Sequence, residues 1–309
     1  MRPSIALTLS VCGLIGSSQL ARADSFLYSN GVFSTIHFPG ADDTVARDIN
    51  NAGQIVGAFT NIGFGGYGFL YSQGEFSRIS VPGSSSSGAY GINNAGQIAV
   101  TASFGSGYYG YIDTNGVFTT FNFYPNSNSL TMLNGINDAG QIIGFFVQID
   151  AFAASYLYSN GMNYILPGEG LGINNAGQVV GPCNYSSCPY GNGVPSVGFL
   201  YANGTFTKIA FPGASSTTPT GINNLGEIVG EYVDSTSSQH GFVYLNGAFN
   251  TFDLPGSLAT MPLGINDSGE IVGTFTPTPI PEPASLFLLV SGLAGLGILI
   301  RQRRSTVQT

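Results

Sequence analysis

Short apolar stretches, each ended by a tight-turn signal, recur along most of the chain. The stretch 26–31, Phe-Leu-Tyr-Ser-Asn-Gly, runs aromatic and aliphatic residues directly into an Asn-Gly pair. Asn and Gly tolerate the positive φ angles that two-residue hairpin turns require. A second Phe-containing stretch follows the turn, as in 206–211, and Pro212-Gly213 ends it. The pattern predicts a β-hairpin.

A second phrase alternates with the first and predicts another hairpin. Its consensus is Gly-Ile-Asn-Asn-Ala-Gly-Gln-Ile-Val-Gly, a short strand, a turn and a second strand. Its first Ile lies at 49, 92, 136, 173, 222 and 265, so the spacings are 43, 44, 37, 49 and 43 residues. The fourth copy loses residues before the phrase and regains them after it. Six units of about 43 residues result.

Four short strands at this period are typical of a β-propeller blade, which is stable only against its neighbours. The apolar pairs Ile55-Val56 and Ile271-Val272 point to opposite faces of a strand, which suits sheets covered on both sides. The prediction is an all-β, six-bladed propeller over residues 24–276. Its closure requires 26–38 to pair with 264–275. An open β-solenoid is the alternative.

The units also resemble a family of bacterial extracellular repeat proteins named for a His-Ala-Phe (HAF) phrase. The Gly-Ile-Asn-Asn part matches closely over almost the whole of the repeat region. In place of the naming tripeptide, this chain has 67–69 Tyr-Gly-Phe, 197–199 Val-Gly-Phe and 240–242 His-Gly-Phe. The resemblance implies an extracellular location and carries no assigned chemistry.

Residues 1–23 have the features of a secretion signal. Arg2 precedes an apolar stretch from Ile5 to Ile15, and a polar run ends in Ala21-Arg22-Ala23. Small residues at Ala21 and Ala23 form the pattern that signal peptidase reads, so we expect cleavage after Ala23. A short membrane anchor is the alternative, although the apolar run is well below the ~20 residues that span a bilayer.

The C-terminal segment has three parts. Residues 277–285 form a Pro-rich linker containing Pro281-Glu282-Pro283, residues 286–300 form an uncharged apolar run, and residues 301–309 form a basic tail. This order resembles the PEP-CTERM sorting signal of Gram-negative bacteria. The resemblance implies recognition by an exosortase and release or transfer of the ectodomain to the envelope or matrix. The apolar run predicts a transmembrane helix with a cytoplasmic basic end. A plain single-pass anchor is the alternative.

Charge excludes one class of partner. Residues 24–270 contain 15 acidic residues and three basic ones, Arg47, Arg78 and Lys208, which gives a formal charge of −12. No basic patch can therefore neutralise a row of phosphates, and we expect no nucleic-acid binding. We expect a monomer whose membrane contact is the C-terminal helix before sorting.

Candidate reactive groups are few. His37 and His240 have no Cys or second His beside them in the sequence, so metal or nucleophile chemistry is not predicted. The carboxylates Glu227 with Glu231, and Asp267 with Glu270, could serve a polysaccharide hydrolase, but Glu227 and Glu270 replace a Gln of the repeat, which favours a role in the turn.

The repeated turn also resembles a calcium loop at Asp48, Asn50 and Gly53, but five copies have Gly at the first position and no acid stands at the twelfth. Asp42, Asp43 and Asp48 form a weak calcium candidate.

Cys183 and Cys188 lie in the insertion of the fourth unit, and an oxidising envelope favours a disulfide between them. A redox or metal role is disfavoured by their spacing.

We therefore expect an exported, exosortase-sorted surface or matrix protein without enzymatic activity, with a binding or structural role. No catalytic, cofactor-binding or metal-binding residue is predicted. Signal peptidase and exosortase are the processing partners, and exopolysaccharide is a candidate ligand. The alternative is a polysaccharide hydrolase or lyase on a propeller scaffold. Such an enzyme would show one loop departing from the repeat with convergent acids or His, and the loop 182–195 has neither.

Overall fold

Four-stranded antiparallel sheets make up the described part of the chain, which comprises residues 24–61, 64–105, 107–123, 130–148, 153–183, 188–190 and 196–279 of a computed structural model. Six such sheets contain 24 strands in these residues. The predicted all-β propeller of six four-stranded blades is confirmed.

The strands occupy four positions in each sheet, from the central axis outwards. The innermost are β3 (Asp43–Ile49), β7 (Ser86–Ile92), β11 (Leu130–Ile136), β15 (Gly172–Ile173), β19 (Ser216–Ile222) and β23 (Ser257–Ile265). The second are β4 (Ile55–Asn61), β8 (Gln97–Phe104), β12 (Ile142–Val147), β16 (Val179–Pro182), β20 (Ile228–Val233) and β24 (Ile271–Pro277). The third are β5 (Phe64–Ser72), β9 (Gly107–Thr114), β13 (Ala153–Ser159), β17 (Gly198–Ala202), β21 (Gln239–Leu245) and β1 (Asp24–Ser29). The outermost are β6 (Glu75–Ile79), β10 (Val117–Phe121), β14 (Met162–Leu166), β18 (Thr205–Ile209), β22 (Ala248–Thr251) and β2 (Val32–Ile36).

Both ends of the strand-forming region meet in one sheet. Blades 1 to 5 are continuous in sequence, from β3–β6 to β19–β22, whereas blade 6 has the order β2-β1-β24-β23. In this blade Ser25 pairs with Thr274 and Leu27 with Val272. The predicted pairing of the terminal hairpins is confirmed, so the last blade is completed by the first strands of the chain.

The outer hairpins turn as the Asn-Gly signal predicts. Asn30 and Gly31 have φ angles of 52° and 83°, and Gln73 and Gly74 have 53° and 86°. Two successive positive φ angles match the right-handed twist of the strands in a two-residue hairpin.

Consecutive apolar residues of the second strands join neighbouring blades. Ile55 packs in one cluster with Val272 of blade 6, while Val56 packs in the next cluster with Ile98 of blade 2. The same alternation runs round the ring through Ala99 and Ile142, Ile143 and Val179, Val180 and Ile228, and Val229 and Ile271. Each strand is thus buried on both faces, at about 1.5–3 kcal/mol for each large aliphatic side chain.

The two ends of the propeller are built differently. Because the strands are antiparallel, the turns between first and second strands and between third and fourth strands lie at one end, here called the turn face. The connections between second and third strands, and those between blades, lie at the opposite end, here called the loop face. The insertion containing Cys183 and Cys188 belongs to the loop face.

Truncating Phe26 tests the closure of blade 6. Phe26 lies on β1, is 0% exposed and packs with Val229, Ile265 and Ile271. We expect Phe26→Ala to lower the free energy of unfolding by about 3–5 kcal/mol in urea denaturation, because a cavity opens where the chain ends meet.

The matched control is Val32→Ala on the neighbouring strand, where the side chain is 65% exposed. Its effect should stay within about 0.5 kcal/mol. Equal effects of the two substitutions would show that blade 6 does not hold the fold together.

Candidate functional site

The turn face is closed by a ring of buried asparagines. The first Asn of each repeated phrase donates from Nδ2 to the main-chain oxygen of the equivalent Asn in the next blade, over 2.8–3.2 Å. The last of these bonds joins Asn266 to Asn50 and completes the circle. The ring members are Asn50, Asn93, Asn137, Asn174, Asn223 and Asn266, each 3–4% exposed.

Each of these asparagines also builds its own turn. The Oδ1 atom of Asn50 accepts the backbone N–H of Gln54, and Nδ2 donates to the Gln54 side chain over 2.8 Å. Glu227 and Glu270 take the place of this Gln and accept from Asn223 and Asn266, each over 2.7 Å. These two carboxylates therefore hold turns.

A second ring lies on the exposed side of the first. The backbone N–H of the next residue in each phrase donates to the side-chain oxygen of its counterpart in the following blade, over 2.6–2.9 Å. Asp138 and Asp267 lie three blades apart, and each accepts two Nδ2 donors from flanking asparagines. The members are Asn51, Asn94, Asp138, Asn175, Asn224 and Asp267. Their polar atoms are therefore largely used within the protein.

Below the rings, glycines let the inner strands meet. A Cβ atom at Gly91 would lie 2.7 Å from Cα of Gly135, and one at Gly172 would lie 2.9 Å from Cα of Gly221. Two small cavities lie along the axis, one of about 60 Å³ at the rings and one of about 40 Å³ between the inner strands. Spaces of this size hold a few water molecules.

Towards the loop face the channel widens into a mouth of about 280 Å³. It is lined by Arg47, Tyr90, Asn134, Glu169, Leu171, Thr220 and Leu263. All of these except Glu169 stand two residues before the Ile of the phrase, so one position of the repeat supplies six of the seven side chains.

β-Bulges direct five of these six side chains towards the axis. The register of the inner strands shifts between Ala46 and Asp48, between Ala89 and Gly91, and at the equivalent points of β11, β19 and β23. The skipped residue is the one that lines the mouth, Arg47 or Tyr90 in the first two blades. A bulged residue leaves the strand ladder and its side chain takes a new direction.

The chemistry of the mouth differs from blade to blade. The Arg47 guanidinium carbon lies 4.5 Å from the centre of the Tyr90 ring, and the Arg47 Nε atom is buried without a hydrogen-bond acceptor. Asn134 donates to the oxygen of Gly170 over 3.0 Å, and Thr220 donates to the oxygen of Pro262 over 2.7 Å. Leu171 and Leu263 add apolar surface. Such a mixture of polar and apolar groups in a concave space is typical of a ligand site.

Asp48 lines the two small cavities of the channel and breaks the repeat, because the other five blades have Gly at this position. Its two carboxylate oxygens accept the backbone N–H groups of Ile49 and Ile92, each over 2.9 Å, which joins blades 1 and 2. Burial raises the pKa of Asp48 to about 7, although these two hydrogen bonds oppose the change. Asp48 was part of the weak calcium candidate, and no group of three His, Cys, Asp or Glu suited to a metal occurs among the described residues.

The structure brings His240 between two carboxylates, which the sequence separation concealed. Nδ1 of His240 lies 2.7 Å from Asp253, and Nε2 lies 3.5 Å from Asp234. The hydrogen bond to Asp253 raises the pKa of His240, and Asp234 adds to the effect. All three belong to blade 5 and its connection to blade 6. His37, in contrast, follows the end of β2 and is exposed.

Cys183 and Cys188 form a disulfide with a Cα–Cα distance of 5.5 Å. Both are buried and pack with Val197 at the loop face of blade 4. The disulfide thus fixes the connection that follows β16.

The sorting and cleavage residues lie outside the described residues. These are Ala21, Ala23, Pro281, Glu282 and Pro283, together with the segments 286–300 and 301–309. In the part of the chain that is described, no helix is long and apolar enough to cross a membrane.

Together, these features define a six-bladed β-propeller with a pocket at one end of its channel. Residues 279–304 match the PEP-CTERM protein-sorting motif. The motif implies processing by an exosortase, secretion, and membrane anchoring before transfer to the cell surface. No curated protein matches the sequence.

Solved propellers are similar in fold at low sequence identity. A putative TolB from Agrobacterium tumefaciens has a TM-score of 0.56 and 13% identity, over 83% of this chain and 99% of that chain. Virginiamycin B lyase from Staphylococcus aureus has a TM-score of 0.40 and 9% identity, over 82% and 99%. Aleuria aurantia lectin in complex with Fucα1-6GlcNAc has a TM-score of 0.40 and 12% identity, over 82% and 88%. These similarities concern the fold alone.

Replacing Asp48 by the Gly of the other blades tests the buried carboxyl. A raised pKa means that the folded state binds more protons than the unfolded state between about pH 4 and pH 7, so wild-type stability falls as pH rises through this window. From pH 4 to pH 8, the unfolding free energy of Asp48→Gly should rise relative to that of wild type by on the order of 3 kcal/mol. Urea denaturation at the two pH values measures this.

Asp267→Asn serves as a comparison of opposite sign. Burial acts to raise the pKa of Asp267, but hydrogen bonds from Asn224 and Asn51 outweigh this effect and lower the pKa. Its stabilising effect is therefore present at neutral pH and lost as pH falls below about 4. If Asp48→Gly gave the same pH slope as wild type, the raised pKa would be refuted.

His240→Gln should destabilise the protein in acid and have little effect in alkali. A raised His pKa contributes stability below pH 6.5 that disappears as pH rises through the folded-state pKa. Melting temperatures of both proteins at pH 5.5 and pH 9 measure the difference. A larger loss at pH 9 than at pH 5.5 would contradict the assignment.

Proposed function

We propose that this protein is a non-enzymatic component of the cell surface or extracellular matrix that binds exopolysaccharide through its loop face. The observation that carries the proposal is the difference between the two faces. The turn face repeats one arrangement six times and satisfies its polar groups internally. The loop face collects the side chains that depart from the repeat.

Exposed aromatic rings at the loop face support a carbohydrate ligand. Tyr108 and Tyr109, at the start of β9, are 48% and 40% exposed, and Tyr190 beside the disulfide is 37% exposed. Tyrosine presents a rigid apolar ring together with a polar hydroxyl, at a small cost in conformational entropy. Sugars offer the complementary surface of C–H faces edged by hydroxyl groups.

The sorting motif supports a matrix role for the bound polymer. A protein transferred to the surface by an exosortase meets the exopolysaccharide of its own cell at high local concentration. Weak individual sites then suffice, because many copies of the protein bind one polymer and this multivalency raises the overall affinity.

The alternative activity, hydrolysis or elimination on a polysaccharide, has one feature in its favour. His240, Asp234 and Asp253 form a titratable cluster at the loop face of blade 5. However, both ring nitrogens of His240 face carboxylates, so neither is directed at a substrate. The cluster is better explained as a clamp between the β20–β21 connection and the segment after β22.

The binding assay uses processed protein purified from the host and exopolysaccharide from the same strain. We expect retention of the protein on immobilised polymer, and a roughly tenfold weaker apparent affinity for a Tyr108→Ala, Tyr109→Ala double variant, because two stacking rings are lost. Leu225→Ala, at a 66% exposed turn-face position, is the matched control and should bind as wild type does.

Absence of retention on the polymer would overturn the proposal. Reducing or unsaturated sugar ends appearing over time, and abolished by His240→Gln, would establish the enzymatic alternative instead.

A further inference from the structure

We infer that the channel mouth is a specific site for one uncharged sugar residue at the end of a glycan chain. This inference rests on the proposed function, because it specifies the ligand that the loop face recognises.

The shape of the channel requires a ligand that enters by its end. The mouth of about 280 Å³ continues only into spaces of about 40 Å³ and about 60 Å³. A polymer cannot thread through them, and the mouth itself is slightly smaller than the ~300 Å³ at which pockets for drug-sized molecules begin. A terminal sugar unit fits these limits, whereas an internal segment of a polymer would have to bend into the mouth.

The lining offers both donors and acceptors of hydrogen bonds. Arg47 only donates, whereas Thr220 retains acceptor capacity because its proton is directed to Pro262. Hydroxyl groups need both kinds of partner, since each one donates and accepts. Leu171 and Leu263 provide apolar surface for the C–H face of a ring.

Arg47 is incompletely satisfied by hydrogen bonds within the protein. Its guanidinium lies over Tyr90, and its buried Nε atom has no acceptor. A buried donor without a partner is unfavourable, because it has lost its hydrogen bonds to water. A ligand oxygen near the guanidinium can remove this cost after a small side-chain rotation, so Arg47 has a reason to respond to an oxygen-rich ligand.

Charge favours a neutral sugar over an acidic one. Among the residues that line the mouth, Glu169 is the one acid and Arg47 the one cation, while residues 24–270 carry a formal charge of −12. A uronic acid would bring a further negative charge into this field. Hydroxyl groups make the same hydrogen bonds without electrostatic repulsion.

Calorimetric titration of the purified, processed protein tests the site. The probes are neutral hexoses and their short oligosaccharides, compared with glucuronate and galacturonate. We expect saturable binding of at least one neutral sugar, at least tenfold tighter than either uronate. Arg47→Ala should weaken this binding at least tenfold, and Leu171→Trp should abolish it by filling the mouth.

Arg78→Ala is the matched control, because Arg78 also lies over a tyrosine, Tyr67 at 3.5 Å, but on the outermost strand of blade 1. It should bind sugar as wild type does. Melting curves verify that each variant is folded, and Arg47→Lys provides a second, milder test in which binding weakens but persists.

Three results would overturn the inference. Tighter binding of a uronate would refute the neutral ligand, and unchanged sugar binding in Arg47→Ala and Leu171→Trp would place the site elsewhere. Retention on exopolysaccharide without any small-sugar binding would refute the mouth while leaving the proposed function intact. Failure of the wild-type protein to bind exopolysaccharide would instead refute the proposed function.

Discussion

The closed circle of hydrogen bonds between the asparagines of successive blades is the interaction on which this structure depends. Each Asn side chain bonds to its own turn and to the main chain of the next blade, so the geometry of one blade sets that of its neighbour. Buried amides of this kind are favourable only when every group is paired. The circle of hydrogen bonds must therefore close between the sixth and the first blade, and Asn266 does donate to Asn50.

The same closure of the ring brings the inner strands of neighbouring blades close together at the axis. The inner strands approach so nearly that five blades have Gly before the Ile of the phrase, and a side chain at Gly91 would meet the backbone of the next blade. The exception, Asp48, fits because its carboxylate accepts N–H groups from its own strand and from β7. A polar link thus replaces close backbone contact at one of the six interfaces, at a cost that appears in its raised pKa.

The repeated turns and the side chains that vary between blades lie at opposite ends of the molecule. The turn face, the Ile-Val pairs and the hairpin turns are repeated because all six blades need them for packing. The bulge position differs from blade to blade, since its side chain leaves the strand ladder and lines the mouth of the channel. Six positions equivalent by symmetry could therefore hold different residues, and at one end of the channel they form a pocket without the symmetry of the fold.

The sequence by itself determined the repeat, the number of blades, the hairpin turns and the closure between the chain ends. These follow from local signals: alternation of apolar residues, Asn-Gly pairs, and a period that places each hairpin in register. One sign of the second hydrogen-bonded ring is visible in the sequence, namely the Asp at the second turn position of the third and sixth copies. The role of these Asp residues depends on contacts between residues about 43 positions apart, which the sequence does not show.

Only the tertiary structure decided which residues meet. Arg47, Tyr90 and Leu263 belong to different blades, and a strand pattern places them on no common surface until bulges turn them towards the axis. His240 likewise gains two carboxylate partners from connections that the sequence reads as ordinary turns. Local propensity specifies a blade, whereas a site made of one residue from each blade exists only after the ring has closed.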